Sequence, residues 1–139
     1  MNREELKKLI PHREPMLLVD TVELCDGKAI GSYTVRGDEF FLQGHFPGNP
    51  VVPGVILCEM MAQASCLLIE ESTEEATPYF TGMNQVKFKN TVMPHDTIVF
   101  KSELVRAKKP FYFMKGEGYV KDKLCVVGEF SFALVTNQA

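Results

Sequence analysis

The chain has 139 residues, 45% of them hydrophobic and 24% charged, with a formal net charge of −3 and a sequence pI near 5.6. That length suits one domain, expected to span residues 1–139, and is enough to bury roughly two-thirds of the unfolded surface. The mild acidity argues against a chain that wraps nucleic acid, and the composition excludes collagen-like, disordered and disulfide-dense classes.

The four cysteines, Cys25, Cys58, Cys66 and Cys125, show no C-x-x-C or Cys/His spacing of metal-ligand type. Free thiols in a reducing compartment are expected. The N-terminus, Met1-Asn-Arg-Glu-Glu, carries no apolar signal region, so a cytoplasmic location is the expectation.

Asn2 followed by Glu5, ahead of Leu6, Leu9 and Ile10, predicts a short capped helix that Pro11 stops. Two β-prone runs between Leu17 and Val35 flank Asp26-Gly27, a two-residue hairpin turn. The segment GHFPGNPVVPG, Gly44 to Gly54, holds three glycines and three prolines in eleven residues and reads as a rigid loop. Pro53 suits the first turn of a helix. From Val55 to Ile69 the residues are apolar almost all round, so a helix buried on every side is expected. Glu59 and Gln63 interrupt it, and it is too short to span a membrane. The run Glu70-Glu71-Ser-Thr-Glu-Glu is expected to end it.

Tyr79–Lys89, Thr97–Arg106, Phe111–Lys121 and Leu124–Val135 are long β-type runs, and ten of the fourteen aromatics lie after residue 78. Phe130, Phe132 and Leu134 alternate on one face, as do Ile98 and Phe100 before Ser102. The fold class expected is α+β: a long antiparallel sheet wrapped around one central buried helix.

Glu59 is the only charged residue between Pro53 and Ile69. An ionised carboxylate is expensive in apolar surroundings, so this one should be protonated, paired, or both. It could simply bond Gln63, one turn on, or reach a surface. His45 lies fourteen residues earlier in the rigid loop, where, taken alone, it reads as a structural loop histidine rather than a catalyst. Together the two resemble an acid–base pair. The loop also runs straight into the helix N-terminus at Gly54-Val55, where backbone N–H groups lack intrahelical partners and favour developing negative charge. Cys58 is read as packing rather than a nucleophile, His12 as structural, and His95 as a solvated turn residue.

IPHREPMLLVD (Ile10–Asp20), GHFPGNPVVPG, CEMMAQAS (Cys58–Ser65) and YFTGMNQVKFKN (Tyr79–Asn90) together resemble the β-hydroxyacyl-acyl carrier protein dehydratases of bacterial type II fatty acid synthesis, FabZ type. The resemblance implies a hotdog fold that works as a homodimer with shared active sites, often a trimer of dimers, and reversible dehydration of (3R)-hydroxyacyl thioesters without cofactor or metal. It makes His45 the catalytic histidine, Glu59 the catalytic acid from the partner chain, and the amides of Gly54 and Val55 the holders of the thioester carbonyl. Phe46 would wall the pocket, Tyr79 would stand near the mouth of the acyl tunnel, and Gln63 would line it. An acidic acyl carrier protein would need a basic landing surface, for which Lys87, Lys89, Lys108 and Lys109 are the candidates. Glu14, Met16, Met60, Ser65-Cys66, His95 and Lys123 depart from the usual motifs, which leaves acyl-chain preference open. An enoyl thioester isomerase of the same fold, a hotdog thioesterase, and a non-catalytic acyl-binding subunit are the competing readings.

Overall fold

The computed structural model describes residues 1–44, 46–69 and 76–136. Helix α1, Arg3–Leu6, is a single turn closed by the expected capping box. The Asn2 side chain accepts the Glu5 N–H at 2.9 Å, and the Glu5 carboxylate accepts the Asn2 N–H at 3.2 Å. The Arg3 guanidinium then ties down the segment that follows. It donates to the Leu17 and Val19 carbonyls and pairs with Glu14 and Asp20 at 3.0 and 3.1 Å. Arg13 closes the same segment locally, donating to the carbonyls of Lys7, Ile10 and His12.

Strands β1, Thr21–Cys25, and β2, Lys28–Thr34, form the predicted hairpin. Asp26 and Gly27 both sit at positive φ, 51° and 77°, as a tight primed turn requires. The remaining strands are β3, Ala76–Phe88; β4, Thr97–Lys108; β5, Phe111–Val120; and β6, Lys123–Thr136. All neighbours pair antiparallel in one six-stranded sheet of order β1-β2-β4-β5-β6-β3. The alternation read from the sequence holds: Ile98, Phe100, Phe130, Phe132 and Leu134 are buried, and Ser102 keeps the inward register. The β5–β6 turn at Lys121-Asp122 takes positive φ at both residues without a glycine.

Helix α2, Gly54–Ala64, crosses the inner face against β2, β4, β5 and β6. Leu57, Met60 and Met61 are buried there, each contributing about 1.5–3 kcal/mol by leaving water. The crossing is close because two strand positions lack a Cβ. A methyl group on Gly31 would stand 2.6 Å from the Ala64 Cβ, and one on Gly116 would stand 3.0 Å from the Met61 Sδ.

The helix departs from expectation in three ways. Pro53 is its N-cap rather than its first turn. The α-helix ends at Ala64, because the Ser65 hydroxyl bonds back to the Ala62 carbonyl at 2.7 Å; a 3-10 turn over Cys66–Leu68 follows. The expected acidic terminator, residues 70–75, lies outside the described residues. Nor is the helix covered on every side, since Val55 in the first turn is 71% exposed within the single chain. A second uncovered apolar surface lies on β3, the edge strand after β6, where Tyr79, Phe80, Met83 and Phe88 are all exposed.

Candidate active site

Glu59 occupies the middle of α2 with its side chain 22% exposed. One turn on, Gln63 is buried and makes three of the four hydrogen bonds open to its amide. Its Oε1 accepts the Leu18 N–H at 2.8 Å, while its Nε2 donates to the Met16 carbonyl and to Glu59 Oε2, both at 2.8 Å. The amide orientation is therefore fixed from the backbone side, and Glu59 is the third group it serves. His12 approaches the same oxygen, with Nε2 3.4 Å from Glu59 Oε2. Glu59 thus bonds Gln63, one of the openings its sequence left, and His12 stands beside the same atom.

These three side chains line a cavity of about 150 Å³ whose walls include Cys66, Tyr79 and Phe132. The cavity is mixed in character, with a carboxyl and an imidazole at one side and apolar groups elsewhere. Burial pushes the Cys66 thiol up to about 12, so it is a wall and not a nucleophile. Burial also raises the Cys58 thiol, as a packing role requires.

Gly54 and Val55 line a different, open cleft of about 760 Å³, shared with Phe88, Lys89 and Asn90. The first helical bonds are donated by Ile56 and Leu57 to the Pro53 carbonyl, so the amides of Gly54 and Val55 precede the helical ladder. Phe88 lies against this end: a methyl group on Gly54 would stand 2.8 Å from the Phe88 Cζ. Glu59 follows Gly54 by five residues, about 7.5 Å of helical rise. Phe46 is 55% exposed in a tight turn closed by reciprocal bonds with Asn49, and it is not among the residues lining either space. His45 lies outside the described residues.

The candidate lysines separate. Lys87 and Lys89 are exposed, and Lys89 borders the cleft at the helix N-terminus. Lys108 and Lys109 are also exposed, but Lys108 pairs with Phe111 and Phe111 with Ala133, whereas Lys87 pairs with Val127. The two pairs thus sit toward opposite ends of the sheet. Sequence reasoning did not assign Phe88 or Asn90 to a site; the signal was their place in the VKFKN stretch. It placed His12 in a motif without seeing its target. Among the described residues no three His, Cys, Asp or Glu side chains converge as metal ligands would, and no helix is long and apolar enough to cross a membrane.

An antiparallel sheet curled around one helix, with a carboxyl held in a cavity beside it, defines a hotdog-type α+β domain with a candidate acid–base site. The chain belongs to the FabA-like domain family, which it matches over residues 10–129. It is 40% identical over 137 residues to the 3-hydroxyacyl-[acyl-carrier-protein] dehydratase FabZ of Clostridium perfringens strain SM101, covering 96% of this chain and 99% of the relative. The protein of that name from Caldicellulosiruptor bescii is 41% identical over 137 residues, covering 96% and 98%. Among solved structures, the dehydratase heterocomplex ApeI:P from Xenorhabdus doucetiae superposes with a TM-score of 0.81 at 21% identity, covering 95% of this chain and 91% of that one. Protein PH1136 from Pyrococcus horikoshii gives a TM-score of 0.69 at 17% identity, covering 94% of each chain. At those identities the structural matches speak for the fold alone.

Proposed function

We propose that this chain is a hydro-lyase of fatty acid biosynthesis that reversibly dehydrates (3R)-hydroxyacyl thioesters on acyl carrier protein to the trans-2-enoyl products. The observation that carries the reading is the near full-length match to FabZ dehydratases, together with Glu59 held in the cavity that also contains Tyr79.

In this mechanism neutral His45 takes the α-proton from C2, and negative charge moves onto the thioester oxygen. The amides of Gly54 and Val55 stabilise that charge as it forms. The C3–O bond then breaks, and Glu59, in its protonated form, gives its proton to the leaving hydroxyl, which departs as water. Tyr79, Gln63 and Phe46 would shape the acyl pocket. No step calls for a metal or a redox cofactor.

The single chain keeps Glu59 and the helix-end cleft apart, and it leaves an apolar edge strand and Val55 uncovered. Both features support a homodimer in which each site combines groups from two chains, with a trimer of dimers as the larger assembly. The carrier would dock beside the helix N-terminus, where Lys87 and Lys89 lie, rather than at Lys108 and Lys109. One domain per chain and a cytoplasmic location complete the reading.

The test is turnover of (3R)-hydroxybutyryl thioesters, bound to carrier and to pantetheine, with chromatography of the enoyl isomers. The wild type should give the trans-2 product. His45→Ala and Glu59→Gln should each lose about 10²-fold or more in kcat with the oligomer intact. Conversion of trans-2-hexenoyl pantetheine thioester to its cis-3 isomer, with no turnover of the hydroxyacyl thioesters, would make the chain an isomerase, and wild-type turnover in either variant would remove the acid–base assignment.

A further inference from the structure

His12 carries two facts that packing alone does not explain. Its Nε2 stands 3.4 Å from Glu59 Oε2, the oxygen that Gln63 also engages at 2.8 Å. Its Nδ1 is buried and finds no hydrogen-bond partner among the described residues. A protonated imidazolium would bury an unpaired N–H there, which is costly; a neutral ring with its proton on Nε2 leaves only a lone pair at Nδ1. The buried orphan therefore selects the tautomer with its proton on Nε2, the nitrogen nearer Glu59.

The two donors have a joint effect. A carbonyl-type oxygen has two lone pairs; Gln63 donates to Oε2 at 2.8 Å, and His12 Nε2 stands beside the same oxygen at 3.4 Å, longer than a hydrogen bond. A carboxylic acid whose Oε2 faces both N–H groups carries its own proton on Oε1. Gln63 is not free to reorient, and the backbone that carries His12 is tied down. Gln63 is fixed by Leu18 and Met16, while the segment bearing His12 is held by Arg3 and by Arg13, which bonds the His12 carbonyl itself.

We infer that His12 is a positioning residue for the acid: beside the Gln63 bond it sets a second N–H near Oε2 of Glu59 and so confines the proton given to the leaving hydroxyl to Oε1. This rests on the proposed role of Glu59, and it assigns His12 no contact with substrate. The titratable groups lining the same cavity are Glu59, Cys66 and Tyr79; neither the thiol nor the phenol bonds His12.

Glutamine can present an N–H where the imidazole has Nε2, whereas asparagine places its amide nearer Nδ1. The experiment compares His12→Gln, His12→Asn and Glu59→Gln with the parent full-length chain on (3R)-hydroxybutyryl pantetheine thioester, alongside ¹⁵N spectra of the parent's imidazoles. His12→Gln should keep kcat within about threefold, and His12→Asn should lose about tenfold in kcat with KM unchanged, as expected when a reacting group is misplaced. The parent spectrum should show the His12 proton on Nε2. A proton on Nδ1, equal losses in both His12 variants, or parental kcat in His12→Asn overturns the positioning role, and the spectrum decides even if a variant fails to fold. With Glu59→Gln inactive, any of these results removes His12 alone; parental turnover in Glu59→Gln removes the acid assignment and the positioning role with it.

Discussion

Gln63 is where stability and chemistry meet, and its replacement separates them. In Gln63→Leu the volume is nearly kept, but the Leu18 N–H, donated to Gln63 at 2.8 Å from a residue only 1% exposed, has no acceptor. A buried orphan of that kind costs about 1–3 kcal/mol. The Met16 carbonyl loses a donor too, but Met16 is an exposed residue and water can replace it. The expected loss is therefore about 2–3 kcal/mol, read as a lowered denaturant midpoint at unchanged slope and fixed protein concentration.

Gln63→Glu keeps the acceptor for Leu18 but places a second carboxyl oxygen near the position of Nε2, 2.8 Å from Glu59 Oε2. Two carboxylates at that distance would repel by about 6 kcal/mol at an effective dielectric of 20. Keeping one protonated at pH 7 costs less, about 4 kcal/mol from an ordinary glutamate value near 4.3. The pair should share a proton. Because the folded-state value is raised, the variant should match the parent near pH 4 and fall progressively behind it as pH rises toward 8. A gap that does not change between pH 5 and 8, or a Gln63→Leu loss below about 0.5 kcal/mol, would refute the bonding scheme around this amide.

Gly31→Ala would bring a methyl group to 2.6 Å from the Ala64 Cβ, about 1 Å inside ordinary contact. It should cost about 1–3 kcal/mol in thermal unfolding, partly recovered by adding Ala64→Gly; an unchanged Tm would contradict the close helix–sheet crossing. The Glu39 carboxylate is buried, which alone would raise it. Donation from the Arg36 N–H at 2.9 Å, the Tyr33 O–H at 2.7 Å and the Gly37 N–H at 2.8 Å outweighs that and holds it below the usual range. Its depressed value contributes stability above about pH 4.3 that disappears as pH falls through the folded-state value. Glu39→Gln should therefore flatten the parent's acid-side decline, and an identical decline in both proteins would count against it.

Local chemistry carried the legible part of the fold. The capping box at Asn2 and Glu5, the Asp26-Gly27 turn and the four β runs each declare themselves within a few residues, and each is found within one to three residues of its expected bounds. The end of α2 was not legible, because apolar residues continue past Ser65, where the serine N–H and hydroxyl both bond back to the Ala62 carbonyl and a 3-10 turn begins. Glu59 was legible as a site residue because a lone charge in an apolar run needs a partner. Its partners were legible only in part: Gln63 is one turn away, but His12 arrives through Arg3, Arg13 and the 45-residue span closed by the Leu18–Gln63 bond. The separation of the lysine pairs follows from strand register, which sequence spacing cannot express.

The β3 edge shows a further consequence. A 13-residue edge strand with four exposed large apolar side chains invites open-ended strand addition, the route to fibrous aggregates. This border is interrupted: Pro78 offers no N–H, the register against β6 shifts between Phe80 and Gly82 and again between Asn84 and Lys87, and Gln85 takes a φ of 51°. An arbitrary extended peptide would lose alignment at each break. The irregularities therefore guard an uncovered edge against indiscriminate strand addition without burying it.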